Sequence, residues 1–180
     1  MKSSRSHFGM SLLNGDIFVA GGHDKDENDL SSVMKYSPST NTWTDVKAMN
    51  EKRYSLESVT LNGKIYAIGG LNEQHTSTRT VECYDPSTDK WSYVASTHNQ
   101  HFYFSATLHQ NRIFVLSRLG FEMYDPDSNT WKDLPKLTMG YAPQLVSING
   151  KLWAVGGSKE EGYHNKPTKT LFEFNITDNK

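Results

Sequence analysis

The sequence predicts an all-β fold made of about four copies of a four-stranded unit. Three observations carry the prediction. Short runs such as Ile17-Phe18-Val19 and Ile113-Phe114-Val115 are rich in β-branched and aromatic residues, and no stretch shows helical periodicity. Asn-Gly turn signals recur at Asn14-Gly15, Asn62-Gly63 and Asn149-Gly150, with Gln110-Asn111 at the same place in the third copy. Finally, a glycine pair, a tyrosine and a tryptophan recur in that order at constant spacing.

The spacing is regular. Gly21-Gly22 precedes Tyr36 and Trp43, and Gly69-Gly70 precedes Tyr84 and Trp91, so glycine to tyrosine is 36 − 22 = 84 − 70 = 14. Tyrosine to tryptophan is 7 in both, and again from Tyr124 to Trp131; Trp43 to Trp91 sets the period at 48. The third copy has Ser117-Arg118 in place of the glycine pair and a short connection to Tyr124. The fourth has Gly156-Gly157 and, in the tyrosine position, Phe174.

Within the second copy the strands read as Ser55 to Leu61, Lys64 to Gly69, Thr80 to Tyr84 and Trp91 to Ala95. Asn-Gly closes the first hairpin, because both turn positions need positive φ. Pro-Ser-Thr-Asn and Pro-Ser-Thr-Asp supply the tight turn between third and fourth strands. One such sheet cannot bury both of its faces, so copies must stack. Glycine pairs allow close backbone approach, and tyrosine and tryptophan fill the space between sheets. Trp43, Trp91 and Trp131 are therefore expected to be buried at equivalent positions.

Composition narrows the function classes. A net charge of −1 over 180 residues gives no reason to expect nucleic acid or a membrane as partner. The single cysteine, Cys83, has no internal disulfide partner, which points to a reducing, cytoplasmic setting and an inert buried thiol. His23 to Asp29 is rich in carboxylates but lacks the glycine and glutamate of a calcium loop, and His98-x-x-His101 has no third ligand in sequence. No metal, cofactor or catalytic residue is assigned, and no Ser-His-Asp set or phosphate loop can be argued from spacing. Asn175-Ile-Thr fits a glycosylation pattern that a reducing setting leaves bare.

The order apolar run, Gly-Gly, Tyr-x-Pro, Trp resembles the kelch motif, whose repeats form the blades of a β-propeller. Val81-Glu-Cys-Tyr-Asp-Pro and Met49-Asn-Glu-Lys-Arg53-Tyr-Ser are similar to the repeats of the kelch-like (BTB–kelch) proteins. The resemblance implies blades at approximately 5–48, 53–96, 101–135 and 140–176, the last lacking its fourth strand. Propellers of that family usually have six blades, preceded by BTB and BACK regions that this sequence does not contain. The chain therefore reads as a truncated kelch domain, with open edges that invite self-association.

The family likeness also implies a function: a protein-interaction module that selects substrates for a cullin–RING ubiquitin ligase, the cullin being recruited through BTB. Actin binding is the alternative within the family, a kelch-propeller enzyme another, and an inactive fragment the last. Strand parity puts the Asn-Gly and Pro-Ser-Thr turns on one face, and the connections after the glycine pairs and between blades on the other. The second face carries the long loops, and binding concentrates on such loops. Arg5, Arg53, Tyr54, Asn72, His75, His101, Tyr103 and Tyr141 are the candidate partner-binding residues there. Arg5 and Arg53 stand where the family often grips acidic peptides, so an acidic or polar peptide is the expected ligand. His101 and Gly140 occupy that place in the later copies.

Overall fold

The computed structural model describes residues 1, 3–137, 139, 141–161 and 164–174. The chain divides into two compact units, Met1–Phe102 and Tyr103–Lys180. Every regular element among the described residues is a β-strand.

The first unit holds two four-stranded antiparallel sheets in strict sequence order. The first sheet runs β1 (Gly9–Leu13), β2 (Asp16–Ala20), β3 (Val33–Ser37) and β4 (Thr42–Val46). The second runs β5 (Glu57–Leu61), β6 (Lys64–Ile68), β7 (Val81–Asp85) and β8 (Lys90–Val94). Turn chemistry fixes the registers. Asn14 and Gly15 have φ of 53° and 83°, as a type I′ hairpin requires. At the other turn Asp85 Oδ1 accepts hydrogen bonds from Ser87 N (2.9 Å) and Ser87 Oγ (2.6 Å). Those bonds, with Lys64, hold the Asp85 carboxyl at about 2.

Period-two alternation decides how the two sheets pack. Leu13, Phe18, Ala20 and Val33 of the first meet Ile65, Ala67, Tyr84 and Trp91 of the second, with Met49 and Leu56 from the linking segment. Polar ties cross between the sheets at the repeat distance: Thr60 Oγ1 donates to Leu12 O (2.8 Å) and Ser58 Oγ to Ser11 Oγ (3.0 Å). The Trp91 indole donates to Lys47 O at 2.9 Å.

The second unit contains β9 (Ser105–His109), β10 (Arg112–Leu116), β11 (Phe121–Asp125) and β12 (Thr130–Asp133) as one sheet. Its last sheet is formed by β13 (Gln144–Ile148), β14 (Lys151–Val155) and β17 (Leu171–Phe174), in the order β13-β14-β17. Phe114, Leu116 and Phe121 pack against Leu145, Leu152 and Ala154. The Phe121 and Phe174 rings lie 4.4 Å apart. A fourth strand in this sheet would follow Phe174, outside the described residues, as does Asn175.

Two expectations need correction. The connection after Gly156-Gly157, expected as a long loop, contains a hairpin, β15 (Ser158–Glu161) with β16 (His164–Pro167). Its strands are charged and polar, so no apolar alternation announces them. Backbone bonds hold its base: Thr168 N donates to Gly157 O, and Tyr141 and Ser158 exchange N–H···O bonds. Trp43, secondly, is only partly buried, whereas Trp91 and Trp131 are 7% and 6% exposed. The Tyr–Trp stack itself is the same in all three sheets, with ring centroids 5.1 Å apart. What differs is the neighbour: the first sheet covers Trp91, and no described residue does the same for Trp43.

The glycine pairs serve close approach. Gly70 has φ of 87°, and a Cβ there would lie 2.5 Å from Tyr54 O. Gly22 meets Ser6 O in the same way at 2.2 Å. Each second glycine thus lets β2 or β6 end directly against the segment that leads into its own sheet.

Candidate partner-binding face

The loop ends of the first unit are built around two equivalent arginines. Arg5 Nη1 donates to Gly21 O (2.8 Å) and Ser32 O (2.7 Å), and Nη2 to Ser32 Oγ (2.8 Å). Forty-eight residues on, Arg53 Nη1 donates to Gly69 O and Thr80 O, both at 3.0 Å, and Nη2 to Thr80 Oγ1. Each guanidinium ties the glycine-pair carbonyl to the start of the third strand. Arg53 goes further, because its Nη2 also reaches Glu82 Oε1 (3.0 Å) and Glu51 Oε2 (3.1 Å).

This corrects the assignment of Arg53 to a binding surface. Arg53 and Glu82 are both fully buried, and Glu82 also accepts from Asn50 N, Asn50 Nδ2 and Glu51 N. A guanidinium with its fork already spent inside cannot clasp a peptide carboxylate. Arg5 is partly buried and its Nη atoms are likewise spent; burial lowers its pKa, against the opposing charge of Asp45. His101, in the third arginine position, is also fully buried, and its carbonyl accepts from Gly70 N at 3.0 Å. Gly140 lies outside the described residues.

Tyr54, Asn72 and His75 do come together. Tyr54 Oη and His75 Nδ1 are 2.7 Å apart, and the Tyr54 ring sits 4.1 Å from that of His23. His7 meets His23 edge-on at 5.6 Å, which makes a ladder of rings, His7–His23–Tyr54–His75, along the loop ends. His23 Nδ1 lies 2.9 Å from Asp29 Oδ1, a close approach without hydrogen-bond alignment. Asn72 shapes its loop: its Oδ1 accepts from Gln74 N and Thr76 N. Asp24 does the same for Asp26 N and Asn28 N in the first sheet's loop, so its carboxylate is occupied by its own backbone.

Beside the ladder lies an open cleft of about 510 Å³. Asn50, Glu51 and Lys52 form one wall, and Asn72, Glu73 and Gln74 another. Its lining is polar, with two carboxylates to one ammonium. Lys52 is paired with Glu73 at 2.5 Å, and Glu51 accepts from Arg53, Thr80 Oγ1 and Tyr93 Oη. The cleft offers an incoming chain amide and hydroxyl groups, and no uncommitted cation among the described residues.

In the second unit, Tyr103 is 55% exposed and holds φ of 48°, a left-handed backbone uncommon for a bulky residue. His7, Ser55 and Ala142 share that conformation at the same repeat position, so the strain belongs to the repeat and not to one site. Tyr141 lies under the Arg118 guanidinium, which is 4.8 Å from the ring centroid and donates to the Tyr141 hydroxyl.

Sequence reasoning missed Glu57. It opens β5 on the strand face shared with Val59 and Leu61, opposite Ser58, where its equivalents are Gly9 and Ser105. A lone carboxylate at the head of an inner strand was the available signal. Burial pushes its pKa up to about 7. The folded protein then binds more protons than the unfolded chain between about pH 4.5 and 7, so stability falls as pH rises through that window. Glu57→Gln should abolish the slope and stabilise the protein above pH 7 by about 3 kcal/mol, read from urea midpoints at pH 5 and pH 8.

The kelch motif profile matches residues 4–50 and 52–97, more than half of the chain. The chain belongs to the kelch-repeat family. Its three four-stranded sheets and the β13-β14-β17 sheet are kelch β-propeller blades, a protein-interaction fold. Kelch-like protein 42 from Homo sapiens is 35% identical over 52 residues, covering 29% of this chain and 10% of that protein. Beta-scruin from Limulus polyphemus is 37% identical over 51 residues, 28% of this kelch chain and 6% of its relative. A longer match, 27% identical over 165 residues, is to Kelch-like protein 40 from Xenopus laevis, covering 86% of this chain and 27% of that one. The kelch chain thus spans about a quarter or less of the length of these relatives.

Proposed function

We propose that this kelch chain is the substrate-recognition part of a kelch-like adaptor for a cullin–RING ubiquitin ligase, acting in the cytoplasm without catalysis of its own. The observation that carries the reading is the polar cleft beside the His7–His23–Tyr54–His75 ladder, at the loop end of paired kelch blades. Similarity to kelch-like proteins supports the ligase assignment by analogy. The ligand is an extended polar segment of a protein: its backbone bonds to the Asn50, Asn72 and Gln74 groups, and a flat side chain rests on the ladder. An acidic peptide fits less well than the sequence suggests, because Arg5 and Arg53 are committed internally.

Affinity capture from cell extract, followed by titration of the captured peptide, tests the reading. His75→Ala and Gln74→Ala should each weaken binding by about 1 kcal/mol, the value of a hydrogen bond or ring contact at an exposed site. Asn62→Gly with Lys64→Gln, at the Asn-Gly end of the same sheet, should leave it unchanged. Loss of binding in the Asn62/Lys64 variant alone would place the working surface at the opposite end. The captured protein should lose ubiquitin conjugates when the gene is silenced. Co-sedimentation with actin filaments, with no change in conjugates, would give the cytoskeletal reading instead.

A further inference from the structure

One place in the repeat changes character in the third blade. The residue before the first hairpin turn is Leu13 in the first blade and Leu61 in the second, both buried. The fourth blade has Ile148 there, and the third has His109. His109 is only 3% exposed, so an imidazole occupies a site that the repeat fills with an aliphatic chain. Its ring meets Phe114 edge-on at 5.8 Å, and its Nδ1 shares a hydrogen bond of 2.9 Å with Ser147 Oγ. Ser147 lies on β13, so this bond crosses from the third blade to the fourth.

Among the described residues, two side-chain bonds tie β9 to β13. The other is at the far end of β9, where Ser105 Oγ accepts from Leu145 N at 3.0 Å. The equivalent strands of the first unit, β1 and β5, are joined by Ser58 to Ser11 and by Thr60 to Leu12 O. Those are hydroxyl bonds, which no change of pH near neutrality alters. Between β9 and β13, one tie can take up a proton.

The surroundings oppose that proton. Burial pushes the His109 pKa below its ordinary value. Arg112, its register partner on β10, sets a cation on the same side of the sheet, paired with Asp125 of β11 at 3.5 Å. The fourth blade turns Leu145, Ser147, Leu152 and Ala154 toward the third, and brings no charge there among the described residues. Lys151 and Glu173 pair with each other on its opposite side. An imidazolium would stand in an apolar seam beside a guanidinium, and its Nδ1 could no longer accept a hydrogen bond.

We propose that His109 is an acid-sensitive latch: neutral, it bonds Ser147 and holds the third blade on the fourth; protonated, it leaves the seam and the two blades part. The contribution is fully present above about pH 6.5 and is lost as pH falls below it, because the folded-state pKa is the lower one. The loop ends follow. Tyr103 leads into β9 and Tyr141 into β13, and Ala142 N donates to Tyr103 O at 3.1 Å. Acid therefore draws apart two of the candidate partner-binding residues. The latch does not rest on the ligase reading.

Amide exchange at Leu145 and Ala142, whose N–H groups bond across the two blades, reads the joint in the full chain. Each rate, divided by the intrinsic chemical rate, is compared at pH 7.5 and pH 5.5. In the parent it should rise about tenfold at pH 5.5, because an opened histidine titrates near 6.5 and the latched one stays neutral. In His109→Leu both amides should be equally protected at the two pH values. The His109 ring protons, followed by NMR, should titrate below about 6.5. Three results would overturn the proposal: no acceleration in the parent, the same acceleration in His109→Leu, or a ring that titrates at or above the ordinary value. If far-UV circular dichroism shows that His109→Leu has lost its strands, His109→Gln, which cannot titrate, takes its place under the same criteria.

Discussion

Arg53→Ala is expected to destabilise the first unit by about 3–5 kcal/mol, the cost of leaving a buried charge without its partner. The stranded group is Glu82, which is fully buried and would keep only its bonds from Asn50 and Glu51. Gly69 O and Thr80 O would lose their donor in the same step. Urea unfolding followed by near-ultraviolet circular dichroism reads the loss. Glu82→Ala should cost a similar amount, and the double variant much less than the sum, because neither charge is then left alone. Additive losses would show that the two side chains act separately. An unchanged midpoint for Arg53→Ala would return the arginine to the surface role that its sequence context suggests.

Trp91→Ala should cost about 3–5 kcal/mol, the range for deleting a large aromatic from a packed interior. The indole fills the gap between two sheets, stacks 5.1 Å from Tyr84 and donates to Lys47 O. Trp43 has the same stack in its own sheet and lacks the covering sheet, so Trp43→Ala should cost only about 1 kcal/mol at low protein concentration. The contrast between the two is the measurement. Equal losses would mean that the Tyr–Trp stack, and not burial between sheets, supplies the stability; a loss under about 1 kcal/mol at Trp91 would make it peripheral.

Strand positions were legible because they follow from local rules. Asn14-Gly15 and Asn62-Gly63 close hairpins wherever they fall, and a constant 48-residue period lets one copy check another. The role of Arg53 was not legible from its own surroundings. Its fate depends on Glu82, which is 29 residues away, on β7. A glutamate within the apolar strand Val81-Glu-Cys-Tyr was the clue, and the third copy repeats it as Glu122, also fully buried, where the first copy has Met34. The hairpin of β15 and β16 escaped for the opposite reason: backbone bonds alone define it, and polar sequence leaves no imprint of them. The ring ladder brings together residues from four separate loops, a juxtaposition that no linear spacing encodes.

The 48-residue offset between a blade and the one it covers also sets a clock during synthesis. Each sheet closes through neighbouring hairpins and can form as soon as it leaves the ribosome. Leu13, Phe18 and Val33 then wait uncovered until Ile65, Ala67, Tyr84 and Trp91 emerge. At translation rates of roughly 5–20 residues per second, that wait is about 2–10 s. Hairpins form within microseconds, so the newborn sheet spends nearly all of that interval folded and sticky on one side. Slow codons between Val46 and Glu57 would lengthen the exposure, and a chaperone that recognises an aliphatic sheet face would find its substrate there, once per repeat.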